Sequence, residues 1–392
     1  MPLPRCILKP AREKSVLARH PWVFSGAIDQ IEEGYQAGDL IRVESSSFDF
    51  LGLGTISPES QIAIRMLSFQ DETVNASFFK KRIEQALEIR KQFLPETDNA
   101  YRLIHGEGDG LPGLIVDRYN NTLVCQFHTA GMEKFRKEIL QGLQTIPGIQ
   151  SIYEKSDPEW RKQEGLSSAE GLLAGDSIPN PLIIQENGHQ FAIDIQSGQK
   201  TGFFLDQRDN RKLVGSVSKG RKVLNCFSYT GGFSVYAAKA GAISTVSVDS
   251  SEPALQLAEE NFKLNQIPTS DHRFLKTDVF QYLRQVQESF DLIILDPPAF
   301  CQSKNQVDQA SRGYKDVNLF AFKKIAPGGL VFTASCSSFI SADLFQKIIF
   351  AAAKDSGRQV QILQKTSHGF DHPVSIYFPE GEYLKGFLLR VS

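Results

Sequence analysis

Cysteine is scarce and unpatterned in this chain. Five cysteines, at positions 6, 125, 226, 301 and 336, form an odd set with no C-x-x-C pair among 392 residues, which argues against a disulfide framework and a zinc ribbon alike. Long apolar runs are missing as well. None approaches the ~18 uninterrupted residues a membrane helix needs. The opening Met1-Pro2-Leu3-Pro4-Arg5-Cys6 lacks the apolar core of a secretory signal, so a cytoplasmic location with no membrane partner is expected. The 7 histidines (His20, His105, His128, His189, His272, His368 and His372) keep no metal-ligand spacing, and no metal is expected. Neither sign of charge dominates: 43 basic against 45 acidic residues leave a net charge of −2, which alone does not predict a nucleic-acid partner.

What is present is an ordinary globular composition, 41% hydrophobic and 22% charged, which excludes wholesale disorder. At ~100–200 residues per domain the length implies two or three domains. Charge is clustered locally. Residues 1–24 hold Arg5, Lys9, Arg12, Lys14 and Arg19 against Glu13, and residues 199–222 hold Lys200, Arg208, Arg211, Lys212, Lys219, Arg221 and Lys222 against Asp206 and Asp209. Such stripes can contact phosphates on one face of a neutral protein, although any single lysine is by default solvated surface.

The hydrophobic period changes along the chain. Up to about residue 70, short apolar runs (Leu40-Ile41-Arg42-Val43, Phe50 to Ile56, Ile62 to Met66) punctuated by Gly, Asp, Ser and Pro predict a small β domain. Phe78, Phe79, Ile83, Leu87 and Phe93 then recur at helical spacing between Asn75, a cap candidate, and Pro95, which predicts an amphipathic helix. Residues 71–195, this helix included, read as a linker helix and α+β domain with hairpin turns at Asn120-Asn121 and Asn187-Gly188. From 196 to 392, strand-like runs at 222–225, 245–248, 292–295 and 329–333 alternate with helical stretches near 231–240, 253–265, 278–287 and 341–355. That alternation predicts an α/β fold with a parallel, doubly wound Rossmann-like sheet.

In such a sheet the ligand sits beyond the carboxyl ends of the strands. The first strand ends in Asn225-Cys226-Phe227-Ser228-Tyr229-Thr230-Gly231-Gly232-Phe233, where the double glycine allows close backbone approach. It is not G-x-G-x-x-G, so a pyrophosphate cradle is not indicated. The second strand ends at Asp249, an acid able to bond both hydroxyls of a ribose. Asp278 is either an adenine contact or a helix N-cap. A ribose acid without a phosphate loop fits S-adenosylmethionine better than a dinucleotide. Asp296-Pro297-Pro298-Ala299-Phe300 then puts a carboxylate at the end of the fourth strand, stiffened by prolines, and Ser335-Cys336-Ser337 puts a thiol at the end of the fifth. A thiol and a carboxylate at neighbouring strand ends can face one substrate.

Over essentially its whole length the sequence resembles the large-subunit ribosomal RNA methyltransferase I family. Arg19-His20-Pro21-Trp22-Val23-Phe24-Ser25-Gly26 resembles the opening of that family's N-terminal PUA-type domain, which here would span 1–70 as the RNA-binding module. Gly106 to Leu114 and Thr201-Gly202-Phe203-Phe204-Leu205-Asp206-Gln207-Arg208-Asp209-Asn210-Arg211 resemble its central and pre-catalytic signatures. The resemblance implies 5-methylcytosine formation in RNA, 23S ribosomal RNA in this family, with S-adenosylmethionine as cofactor. It implies Cys336 as the nucleophile adding at cytosine C6, and Asp296 as the group holding the base edge. Asn225, Phe227, Ser228, Tyr229, Thr230, Gly231, Asp249, Asp278, Arg208 and Asp296 would form the cofactor site.

One departure stands out. Many RNA cytosine-C5 methyltransferases carry a second cysteine after the proline of this segment, where Ala299 stands here. Cys301 reads as an incidental loop thiol, Cys226 as packing, and Cys6 and Cys125 as small hydrophobes. Trp22 is expected in the domain core rather than stacked on a base. Two other classes remain open: an N-methyltransferase acting on an exocyclic amine, and a non-catalytic RNA-binding protein that keeps the fold. A homodimer is likewise left open.

Overall fold

The computed structural model describes residues 3–392, and they divide into two units. The first comprises the chain up to Leu182 together with Asp194–Phe203 and Phe370–Gly381. The second comprises Ile183–Ile193, Phe204–Gly369 and Glu382–Ser392. No helix among the described residues is long and apolar enough to cross a membrane.

The first unit starts with a six-stranded sheet in the order Trp22–Val23, Ile64–Ser68, Phe50–Ile56, Leu40–Glu44, Arg5–Leu8, Ile28–Ile31. Along Leu40–Glu44 the side chains alternate at first: Ile41 and Val43 are fully buried, and Arg42 between them is not. The amphipathic helix follows at Ala76–Phe93, where Asn75 Oδ1 accepts from the amides of Ser77 and Phe78. It ends where Leu94 turns extended before Pro95. Phe79, Ile83 and Leu87 pack with Ile139 and Leu143 of helix Arg136–Leu143 over a five-stranded sheet ordered Glu170–Gly175, Ser151–Lys155, Thr122–Phe127, Leu114–Tyr119, Ala100–His105. Trp22 is half-buried, its ring 4.6 Å from that of Phe378 and its Nε1 donating to Glu107 at 2.7 Å.

A buried polar network ties the separate segments of this unit together. Arg90, 0% exposed, donates Nη1 and Nη2 to Asp109 at 2.5 and 2.7 Å, Nε to the carbonyl of Arg102 at 2.9 Å and Nη2 to that of Asp371 at 2.8 Å. Asp371 in turn accepts from the amide of Arg102 at 3.0 Å. Arg102 pairs with Asp117 at 2.8 Å, and Thr201 donates to the same carboxylate at 2.7 Å. The Gly106–Gly113 signature therefore serves the returning chain: a Cβ on Gly108 would lie 2.0 Å from the carbonyl oxygen of Pro373.

In the second unit the strands are labelled β1 (Lys222–Cys226), β2 (Ser244–Asp249), β3 (His272–Lys276), β4 (Phe290–Leu295), β5 (Ile325–Ser335), β6 (Val360–Thr366) and β7 (Lys385–Val391). The helices are α1 (Arg208–Ser216), α2 (Gly232–Lys239), α3 (Glu252–Leu264), α4 (Val279–Gln285), α5 (Val307–Lys324) and α6 (Ala342–Ser356). The sheet runs β3-β2-β1-β4-β5-β7-β6. All neighbours are parallel except β7, which is antiparallel to both β5 and β6. β4 is covered on both faces, which is why it reads as an unbroken Leu-Ile-Ile-Leu run.

Two expectations are corrected. The hairpin Leu182–Glu186/His189–Ile193 groups largely with the second unit instead of the central sheet, because the amides of Gln190 and Ala192 donate to Asn265 and Asn261 at 3.0 and 2.6 Å. Helix α5 was absent from the expected helices, although its buried Ala310, Tyr314, Val317, Ala321 and Phe322 keep helical spacing.

Removing one partner of a fully buried ion pair leaves the other charge uncompensated. Asp109→Ala is therefore expected to destabilise the first unit by ~3–5 kcal/mol, read as a lowered urea midpoint. Wild-type stability in that variant would show that Arg90 needs no counter-charge.

Candidate active site

The turn from β1 into α2 is built under constraint. Phe227, Tyr229 and Gly231 all have positive φ, at 60, 47 and 75°, and two of the three are bulky side chains that disfavour it. The surroundings hold the turn in place. Ser228 N donates to the carbonyl of Val248 at 3.0 Å, Gly231 N to that of Ser228 at 2.9 Å, and Asn261 Nδ2 on α3 to that of Thr230 at 2.9 Å. Gly231 is required for space as well as for φ, since a Cβ there would lie 2.9 Å from that of Ala258. Below the turn Asn225 is fully buried and donates to Ser234 Oγ at 2.9 Å.

Asp249 ends β2. Its Oδ2 accepts from the amide of Tyr229 at 2.8 Å and its Oδ1 from that of Ser251 at 2.9 Å. The carboxylate is thus oriented by backbone, half-buried, with lone pairs left on both oxygens. Phe227, Phe280 and Phe300 form an aromatic wall nearby, with centroids 5.9–6.3 Å apart. Asp278 is exposed and caps α4, accepting from Gln281 N at 2.9 Å.

β4 and β5 end side by side, with Leu295 opposite Thr333, so Asp296 and Cys336 leave neighbouring strand ends. Gln207 Nε2 donates to Asp296 Oδ1 at 2.7 Å, and Asn210 Nδ2 donates to Gln207 Oε1 at 2.6 Å. Asp206 accepts from the hydroxyl of Tyr383 at 2.8 Å. Gln207 and Asn210 are contacts around Asp296 that the sequence reading misses. The cue is the dense polar run Asp206–Arg211, from which the sequence points to Arg208 alone as a cofactor residue.

Arg208 and Arg211 are not part of a surface stripe. Arg208 is 1% exposed and lies 4.0 Å from Glu186, while Arg211 grips both oxygens of the same carboxylate at 2.8 and 2.7 Å. The hydroxyl of Tyr236 donates to Glu186 as well, at 2.9 Å. Of the 199–222 cluster, Lys200, Lys212, Lys219 and Lys222 are the exposed cations.

A family model for S-adenosylmethionine-dependent methyltransferases matches residues 102–363, and one for PUA-like domains matches residues 6–69. The chain is 46% identical over 389 residues to the ribosomal RNA large subunit methyltransferase I of Tolumonas auensis, covering 98% of both. It is 47% identical over 393 residues to the protein of that name from Shewanella frigidimarina, covering 99% of both. The chain belongs to the ribosomal RNA large subunit methyltransferase I family. Among solved structures, a SAM-dependent methyltransferase from Streptococcus mutans superposes with a TM-score of 0.85 at 25% identity, covering 98% of this chain and 99% of that one. A methyltransferase solved in complex with SAH superposes with a TM-score of 0.86, at the same identity and coverage.

S-adenosylmethionine is the cofactor of this methyltransferase family member, and the strand ends fit it. Buried Asn225 Oδ1, Ser228 Oγ and Thr230 Oγ1 have no hydrogen-bond partner among the described residues. Buried polar atoms of this kind call for a ligand or water, and a ligand carrying hydroxyl and ammonium donors answers them. Asp249→Ala should weaken S-adenosylmethionine binding about 10- to 150-fold, as expected for losing a charged hydrogen bond of ~1.5–3 kcal/mol. Calorimetric titration reads it directly, and unchanged affinity would move the ribose away from β2.

Proposed function

We propose that this chain methylates C5 of a cytosine in large-subunit 23S ribosomal RNA, with Cys336 forming a transient bond to C6. The observation that carries the reading is selective exposure. Cys6, Cys125, Cys226 and Cys301 are buried and Cys336 alone is half-exposed, at a strand end beside that of Asp296. Burial raises the Cys6 thiol to about 12 and pushes those of Cys125 and Cys226 higher still, which makes them poor nucleophiles.

Cytosine C5 is a weak nucleophile until C6 is substituted. The Cys336 thiolate adds to C6, forming the S–C6 bond and moving the C5=C6 electron pair onto C5. Bound S-adenosylmethionine supplies the electrophilic methyl group. Asp296, its rotation fixed by Gln207, shares a proton with the pyrimidine N3 and offsets the charge that develops on the ring. Loss of the C5 proton to a base then restores C5=C6 and breaks the S–C6 bond, returning the thiolate. Cys301 is ill placed to be that base, since it is 2% exposed and its thiol donates to the carbonyl of Ser303 at 3.2 Å. Exposed Lys9, Arg12, Lys14 and Arg19 in the first unit supply cations for the RNA backbone.

RNA containing 5-fluorocytosine is the direct test. Fluorine cannot leave C5 as a proton, so the enzyme should become covalently attached, visible as a denaturant-resistant band. Cys336→Ser should abolish both attachment and turnover while leaving cofactor affinity intact, because an unactivated hydroxyl is far less ionised. Methylation at the wild-type rate by Cys336→Ala would overturn the C5 reading and point to an exocyclic amine.

RNA affinity should also fall with salt by a log–log slope of about −0.7 per single-strand phosphate contacted. Arg12→Ala and Lys14→Ala should each flatten that slope by up to the same amount. A slope unmoved by both would take the N-terminal cations out of the interface.

A further inference from the structure

We propose that Lys385 is the counter-ion of the Cys336 thiolate, a positioning residue that keeps the nucleophile ionised at neutral pH. The inference rests on the reading of Cys336 as nucleophile and names what ionises it. A free cysteine titrates near ~8.5, so an unassisted Cys336 would be mostly the unreactive thiol at pH 7.

Lys385 opens β7 and pairs across the sheet with Ser335, the residue before the thiol. Its side chain runs forward along the β5 end, where Nζ donates to the carbonyl of Ser337, the residue after the thiol, at 2.7 Å. Lys385 thus meets the residues on both sides of Cys336, its backbone at Ser335 and its ammonium at Ser337. It is only 5% exposed, and among the described residues that carbonyl is its one hydrogen-bond partner, with no carboxylate in salt-bridge contact. Burying an ammonium on a single neutral acceptor is costly, and an apolar side chain would fill the space more cheaply. An anion beside it offsets that cost, and the Cys336 thiolate acts on Lys385 in this sense. The interaction is reciprocal, so the ammonium favours the thiolate by the same amount.

The other titratable groups around this strand end are Glu382 and Tyr383 on the approach to β7, Tyr314 on α5, Asp296 at the end of β4, and Asp206 bonded to Tyr383. Burial lowers Lys385 to about 8, against the raising influence of Cys336 and Glu382. It is thus mostly charged at pH 7, and its help fades as the pH rises through about 8. Tyr314, pushed up by burial and hydrogen-bonded to the Ser337 hydroxyl at 2.9 Å, stays neutral through this range.

The test needs no RNA. The full-length protein is alkylated with iodoacetamide across pH 5–10 at the order of a tenfold excess, and modification at Cys336 is followed by peptide mass, the buried cysteines serving as slow internal references. Wild type should show an inflection below ~8.5, the free thiol value. Lys385→Met should raise it by about one pH unit, slowing alkylation at pH 7 about tenfold. Lys385→Arg, which keeps the charge, should hold the inflection low. Should the methionine variant fail to fold, Lys385→Gln keeps a donor for the Ser337 carbonyl without the charge and carries the same expectation. Bound S-adenosylmethionine, titrated in parallel, certifies the fold. An inflection unmoved in the neutral variants would overturn the proposal. A low wild-type inflection without 5-fluorocytosine trapping would instead uphold Lys385 while overturning the nucleophilic role of Cys336.

Discussion

The parallel pairing of β4 with β5 is the constraint on which the site depends. Leu292 to Leu295 lie opposite Leu330 to Thr333 in unbroken register, and over that stretch both strands are buried on both faces. Because strand side chains alternate, a slip of one residue would turn the β5 end over and carry Cys336 to the opposite face. The sheet resists that slip from the other edge too, where β7 pairs with β5 from Gly329 through Ser335. What aligns the carboxylate and the thiol is therefore hydrophobic burial several residues away from either, and the chemistry inherits its geometry from the core.

A second layer of order comes from buried carboxylates that collect arginines. Asp109 holds Arg90, Asp117 holds Arg102, and Glu186 holds Arg211. The three acids lie in different local settings. Asp109 sits in the glycine-rich turn, Asp117 accepts from a threonine 84 residues later, and Glu186 ends the first strand of a hairpin. Buried pairs of this kind contribute little net stability against a hydrophobic alternative, but breaking one is costly. Here they join segments that the backbone pairing alone does not, as where Asp117 also takes the hydroxyl of Thr201.

This explains which parts of the molecule were legible in the sequence. The doubly wound sheet announced itself because strands covered on both faces read as apolar runs, and Asp249, Asp296 and Cys336 could be picked out as the residues ending those runs. Asn75 and Asn187-Gly188 were readable because caps and tight turns are local chemistry. The failures share a cause. Arg208 and Arg211 look like surface cations until Glu186, distant in sequence, is placed beside them. Gln207 and Lys385 acquire meaning only when the strand ends converge. Helix α5 was a different kind of failure, since its helical spacing was present and simply lies beside a loop rich in polar residues.

Selectivity among the cysteines follows from the same physics. A thiol reacts as its thiolate, and a thiolate needs either solvent or a nearby cation. Cys226 ends β1 one strand away from β4, yet burial without a counter-charge raises its titration and leaves it inert. Cys301 lies only a few residues beyond Asp296, but it is closed into the core beside Tyr314 and bonded to a carbonyl. Cys336 differs in the two respects that matter: it is half-exposed, and a buried ammonium lies along the strand end that carries it. In the proposed mechanism one sheet thus carries several cysteines and directs nucleophilic chemistry to one, through where each strand stops and which side chain crosses its end.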